Sequence, residues 1–124
     1  MRHISYTSLA NGLSAQDFAK ILEHARAWNQ QNQIRGAIAF DGRMITQIIE
    51  GPRAITDELY LRILGDPRHT GVVLQSRADI AQSQFDGFGL TRMTPSDLYM
   101  ISLSIVEKYG SGDSAAEPLV RRFD

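Results

Sequence analysis

Hydrophobic and polar positions alternate over residues 2–8, with Ile4, Tyr6 and Ser8 on one side and His3, Ser5 and Thr7 on the other, which predicts a strand. Asn11-Gly12 ends it with turn chemistry, and Ser14 opens a capping pattern with Asp17. Phe18, Ile21, Leu22, Ala25 and Trp28/Asn29 then recur at helical spacing, predicting an amphipathic helix over about residues 14–31. Ile34 to Phe40 reads as a short apolar strand, Asp41-Gly42 as a hairpin signal and Met44 to Glu50 as the returning strand. Gly51-Pro52 breaks the sheet and opens a second helix. On it Ile55, Leu59, Arg62, Ile63 and Asp66 share one side, and Pro67 is its expected stop. Val72 to Arg77 is the next strand, and Phe85 to Arg92 another, bent near Gly87.

This order predicts an α+β fold: a ferredoxin-like βαββαβ(β) sheet with two helices on one face. Thr94-Pro95-Ser96-Asp97 then signals a C-terminal helical extension, with a capping threonine and proline at the first helical position. Leu98, Ile101, Leu103, Ile105, Val106 and Tyr109 make that helix broadly apolar, so it needs a partner surface, either the second sheet face or another subunit. After Gly110-Ser111-Gly112 a mobile polar tail is expected.

The formal charge is -1 and the pI near 6.3, without the basic stripe that nucleic acid or anionic lipid would need. The chain has no cysteine, hence no disulfide framework, thiol nucleophile or thiolate metal site. His3 and His24 show no metal-ligand spacing with carboxylates. The start Met1-Arg2-His3-Ile4-Ser5 has no leader pattern, and no apolar run of membrane-spanning length is visible. A cytoplasmic protein with neither nucleic-acid nor membrane partner is the expectation.

Three polar side chains interrupt apolar faces. Gln47 lies between Ile45 and Ile49 on one side of its strand, Tyr6 beside Ile4, and Asn29 four and seven residues from Ala25 and Leu22. A buried amide without partners costs about 1–3 kcal/mol, so Gln47 calls for a partner in the protein or in a ligand. The first and third strands are central neighbours in a ferredoxin-like sheet, which lets Tyr6 and Gln47 approach beneath the helices. A phenol and two amides offer donors and acceptors suited to a flat heterocycle, but no general base or metal ligand. Simpler roles stand beside these: Tyr6 as a core aromatic and Asn29 as a helix terminator. In Asp66-Pro67-Arg68-His69 the cation and imidazole either edge a ligand, joined by Arg62, or form a surface turn with a neutral packed histidine.

Tyr6-Thr7-Ser8, Ala25-Arg26-Ala27-Trp28-Asn29 leading to Ile34-Arg35-Gly36, Gln47-Ile48-Ile49-Glu50-Gly51, Arg62-Ile63 and Asp66-Pro67-Arg68-His69 together resemble the BLUF domains, which are blue-light sensors using flavin. The resemblance runs from about residue 2 to 93. It implies FAD, or alternatively FMN, held noncovalently between the two helices. By position, Tyr6 and Gln47 would be the photoactive pair, Asn29 would hydrogen-bond the flavin edge, and Arg62, Asp66, Arg68 and His69 would line the ring. The implied mechanism is light-driven electron transfer from Tyr6 to flavin, with proton movement through Gln47 that leaves its amide rotated or tautomerised and the absorption shifted to the red. The organisation implied is a short, stand-alone sensor over 1–93 with an extension and tail over 94–124, not an enzyme. It would signal to an unidentified downstream protein and could form a homodimer or higher oligomer.

The chain departs from the family pattern at three positions. Trp28 stands where many relatives have histidine or asparagine, and either caps the core edge or competes as an electron donor. Phe88 and Leu90 stand where relatives often carry tryptophan and methionine, and Leu90 cannot offer a thioether to Gln47. Two other classes remain open on the residues alone: a light-insensitive ferredoxin-like interaction module without flavin, and a small acyl-phosphate enzyme. The latter would want a glycine-rich anion loop, of which Ser8-Leu9-Ala10-Asn11-Gly12 is a poor version.

Overall fold

A computed structural model describes residues 1–110, and the tail expected beyond Gly110 lies outside them. The elements are β1 (Arg2–Leu9), α1 (Ala15–Gln31), β2 (Arg35–Phe40), β3 (Met44–Gly51), α2 (Arg53–Leu64), β4 (Thr70–Asp79), β5 (Thr91–Arg92) and α3 (Pro95–Tyr109). The sheet order is β4-β1-β3-β2-β5, antiparallel except for the β2/β5 pair. This is the ferredoxin-like arrangement that the pattern predicts, with β1 and β3 as central neighbours.

Local chemistry fixes the element ends. Ser14 Oγ accepts from the Asp17 amide at 3.0 Å and so caps α1, and Thr94 Oγ1 does the same for α3 from Asp97 at 3.2 Å. In the β2–β3 turn Asp41 Oδ1 accepts from the Arg43 and Met44 amides at 3.0 and 2.7 Å.

Helices α1 and α2 lie on one sheet face. Phe18 and Leu22 of α1 pack against Ile38, Phe40 and Ile45, while Tyr60 of α2 packs with Ile4, Tyr6, Ile34 and Ile49. The apolar α3 covers the opposite face: Leu98 meets Ala37, Ala39 and Ile48, and Ile105 meets Ala78 and Ile80. Of the two partner surfaces its composition allows, the buried side takes the sheet. Tyr99 and Met100 remain exposed on its outer side.

The boundaries differ from expectation in three places. The strand expected from Phe85 to Arg92 shrinks to Thr91–Arg92, because the Arg35 guanidinium takes the Phe85 and Asp86 carbonyls at 2.9 and 3.0 Å and Gly89 sits at φ 126°. Backbone groups used in this way are not available to a ladder. Helix α2 ends at Leu64, with Gly65 as its cap, so Asp66 lies beyond it; the residue before a proline resists helical geometry, and the chain leaves the helix before reaching Pro67. Strand β4 runs longer, Thr70–Asp79, and carries a register shift against β1 between Ser5 and Tyr6.

Beneath α3 is a polar layer. His3 Nδ1 lies 2.7 Å from Glu50 Oε2 and His3 Nε2 lies 2.8 Å from Ser76 Oγ, all fully buried. Glu50 Oε1 accepts from Ser83 Oγ at 2.6 Å and from the Gln84 amide at 2.8 Å. Ser5 Oγ bonds Ser102 Oγ of α3 at 2.8 Å. Glu50→Ala strands an imidazole, a hydroxyl and an amide in the interior, so its unfolding free energy in urea should fall by about 3–5 kcal/mol. Replacement of the exposed Glu58 by alanine should change it by no more than about 0.5 kcal/mol.

Candidate functional site

The sheet face under α1 and α2 does not close completely. Between the helices lies a cavity of about 360 Å³, within the range of small-molecule sites. Its walls include Ile21, Ala25 and Trp28 of α1, Leu59 and Ile63 of α2, and Ile38 and Ile45 of the sheet. This explains why Ile21, Ala25, Leu59 and Ile63 are only half-buried although they sit on apolar helix stripes. Those stripes face a hollow as well as the core.

Tyr6, Asn29, Gln47, Arg62, Asp66, Arg68 and His69 all line this cavity, although they come from β1, α1, β3, α2 and the segment after α2. Tyr6 and Gln47 are direct Cα partners in the β1/β3 register, and the Tyr6 hydroxyl donates to Gln47 Oε1. Gln47 is 6% exposed, yet its Nε2 makes no hydrogen bond among the described residues. Asn29, 2% exposed, donates through Nδ2 to the Gly89 carbonyl at 3.1 Å and leaves Oδ1 unused.

The other members are more committed. Arg68 donates through Nε to both Asp66 oxygens, at 2.9 and 3.1 Å, and this guanidinium holds the Asp66 carboxyl below the ordinary carboxylate range. His69 Nε2 lies 2.6 Å from the Ile63 carbonyl, which can only accept, so that nitrogen carries a proton; Nδ1 lies 2.7 Å from Ser8 Oγ. The segment forms a paired turn, and that turn lines the cavity. Arg62 has no hydrogen bond or ion pair among the described residues and lies over the Trp28 ring, 5.2 Å from its centroid.

Burial, reinforced by the nearby Tyr60 and Asp66, raises the pKa of the Tyr6 phenol far above its ordinary value, so it stays protonated as a donor. Burial also pushes Tyr60, whose ring centroid is 5.8 Å from that of Tyr6, up to about 12.

Leu90 is buried near Ile38 and Ile45, filling the volume expected of it, while Phe88 is exposed with the Arg35 guanidinium 4.8 Å from its centroid. Two contributors escaped residue-by-residue reading. His24 lines the cavity, and its signal was its place on the α1 stripe between Ile21 and Trp28. Gly89 supplies the carbonyl that orients Asn29, a role visible only once the crossing segment is placed.

The family profile described as "Sensors of blue-light using FAD" matches residues 1–91. The chain belongs to the BLUF family. Among curated relatives, the photoactivated adenylate cyclase subunit beta of Euglena longa is 34% identical over 83 residues, which is 66% of this chain and 10% of that protein. The chain thus spans about a tenth of the length of this cyclase. Among solved structures, BlrB, described as a BLUF protein in its dark state, aligns with a TM-score of 0.71 at 25% identity over 97% of this chain and 92% of that one. A bacterial light-regulated adenylyl cyclase gives 0.71 at 26% identity, over 88% of this chain and 36% of that one. BLUF domains are flavin-using sensors of blue light, and in such cyclases the domain accompanies an effector. Among the described residues no helix is long and apolar enough to cross a membrane.

Linkage sets a pH limit on this BLUF site. Below pH 10 the Tyr6 and Tyr60 phenols are protonated in both folded and unfolded chains; above it the unfolded chain loses those protons while the folded one keeps them. Stability should therefore fall as pH rises above about 10, by up to about 1.4 kcal/mol per pH unit for each tyrosine. Urea midpoints measured at about pH 9 and 11 should show this drop, and Tyr6→Phe should reduce it.

Proposed function

We propose that the chain senses blue light through a flavin held noncovalently in the cavity between α1 and α2, with Tyr6 and Gln47 as the switching pair. The observation that carries this is the Tyr6 hydroxyl donating to Gln47 Oε1 while Gln47 Nε2 has no partner among the described residues at the cavity wall. The donor set fits a flavin: apolar side chains for the faces of a flat ring, and amides for its alternating carbonyl and N–H edge. Gln47, Asn29 and Arg62 would hold that edge through the groups the protein leaves unused. Asp66, Arg68 and His69 would border it as a pre-organised turn, their own hydrogen bonds being largely internal. FAD is the family's cofactor, and FMN shares the same ring.

When bound, the flavin supplies light absorption and a one-electron acceptor. Tyr6 would be the electron donor to it, and the existing hydrogen bond would carry the phenolic proton to Gln47 Oε1. Once Tyr6 has regained its electron and proton, the Gln47 amide would be left in a rotated or tautomeric form. An amide presents oxygen or nitrogen from nearly the same position, so the pair has two states and each satisfies the phenol differently. Ile45 and Ile49 on the same strand face keep water from blurring the difference.

The domain proposed is 1–93, with 94–124 as its extension. Output would pass through the 83–93 segment and α3 to a downstream protein, or to a second copy of the chain, since Asn29 and Arg26 hold the Gly89 and Leu90 carbonyls and Ser102 of α3 holds Ser5. A cytoplasmic setting, without nucleic acid or membrane, fits the composition. The chain's own role is sensing, not catalysis.

Absorption spectra of protein expressed with flavin, taken in darkness and after blue light, test this reading. Bound flavin with a reversible red shift is expected, and a colourless protein that cannot be reconstituted would overturn it. Gln47→Leu and Tyr6→Phe should keep flavin but lose the red shift; a normal light shift in either would remove that residue from the switch.

A further inference from the structure

Trp28 and Arg62 face each other from the two helices that wall the cavity, α1 and α2. Among the described residues no hydrogen bond or ion pair joins these helices. The guanidinium, 5.2 Å from the indole centroid, bridges them beside the apolar packing of Trp28 in the cluster around Tyr60. Both side chains also line the cavity.

The charge arrangement around Arg62 is uneven. Asp66, four residues on, would be its natural partner, but that carboxylate is occupied by Arg68 in a two-oxygen contact. Among the described residues the Arg62 guanidinium therefore has no hydrogen-bond or ion-pair acceptor. A guanidinium stacks through its flat face and donates through its edge, so resting on an indole leaves the N–H groups usable. A long, flexible side chain at a cavity mouth would otherwise lose considerable rotamer entropy on capturing a ligand oxygen.

We infer that Trp28 is a positioning residue: its ring is the platform that holds the Arg62 guanidinium across the cavity mouth, pre-set to donate to a carbonyl oxygen on the flavin ring. This rests on the flavin-binding reading above and deepens it. It gives a physical role to the chain's single tryptophan. The platform acts only through Arg62, so its effect should vanish when Arg62 is absent.

The test is a double-mutant cycle on flavin affinity, read by flavin fluorescence, with Trp28→Leu, Arg62→Met and the double variant. Riboflavin and FMN serve as ligands. Each single change should weaken binding, and the double variant should bind at least about fivefold more tightly than the product of the single losses predicts. Trp28→Phe, which keeps an aromatic face, should retain most of the wild-type affinity. The coupling should be the same for riboflavin and FMN. Coupling confined to FMN would place Arg62 on the phosphate and overturn the ring assignment. Losses that multiply to within about a factor of two would overturn the platform.

A second readout needs no flavin. Trp28 is the only tryptophan, so indole emission reports this position alone. Arg62→Met should make acrylamide quenching of that emission clearly more efficient in the flavin-free protein, and unchanged quenching would overturn the pairing. Wild-type protein that binds neither ligand would instead sink the flavin reading itself, a result distinct from wild-type binding with an additive cycle.

Discussion

Tyr6 and Gln47 sit directly across from each other on the two central strands, and the hydrogen bond between them exists because β1 and β3 pair in this register and no other. A slip of one residue would send Gln47 to the α3 side and bring Ile48 under the helices. The register is pinned from both faces. Ile4 and Ile49 are direct partners packed beneath α2, and His3 and Glu50 are direct partners joined by a buried hydrogen bond beneath α3. The Tyr6–Gln47 pair, proposed here as the switch, inherits its precision from these neighbours.

The two sheet faces divide the work by chemistry. Under α1 and α2 the polar groups keep unused valences: Gln47 Nε2, Asn29 Oδ1 and the Arg62 guanidinium. Under α3 the buried polar groups answer one another, with both Glu50 oxygens and both His3 nitrogens engaged. Unused polar groups that border a cavity are open to a ligand or water, and satisfied ones can be sealed. The contrast agrees with the cavity face as the proposed binding face.

Much of this was legible in the chain, for specific reasons. Period-two alternation around Tyr6 and Gln47, the Asp41-Gly42 turn and the Ser14 and Thr94 caps are local signals, and they produced the element order and the central pairing. The seven polar residues singled out at sequence level do converge on one cavity, since strand parity and helix stripe fix which face each takes. Illegible features were those made by distant partners. Arg35 breaks the expected 85–92 strand by taking carbonyls fifty residues away in the chain. Glu50 lies on a strand face that alternation alone would leave to solvent, and only α3 and the 83–84 segment turn it into core. Trp28 had two simple roles open to it, and neither included Arg62, because stacking across a cavity leaves no periodic trace in a sequence.

These same distant contacts bear on how a change at Gln47 could travel. Gln47 and Glu50 are three residues apart on β3 and point to opposite faces. A rotated amide needs no large backbone motion, and Asn29, which lines the same cavity, donates to the Gly89 carbonyl. The 83–90 segment is thus gripped at one end by Glu50 from the α3 face and at the other by Asn29 and Arg26 from α1. The second grip lies at the buried Gly89 and Leu90, with Gly89 at φ 126°, and the first joins the fully buried Glu50 to a half-buried Ser83 and an exposed Gln84. Leu90 fills its position without a sulfur, so transmission in this chain would depend on packing and backbone hydrogen bonds, with no direct polar contact from the last strand to Gln47.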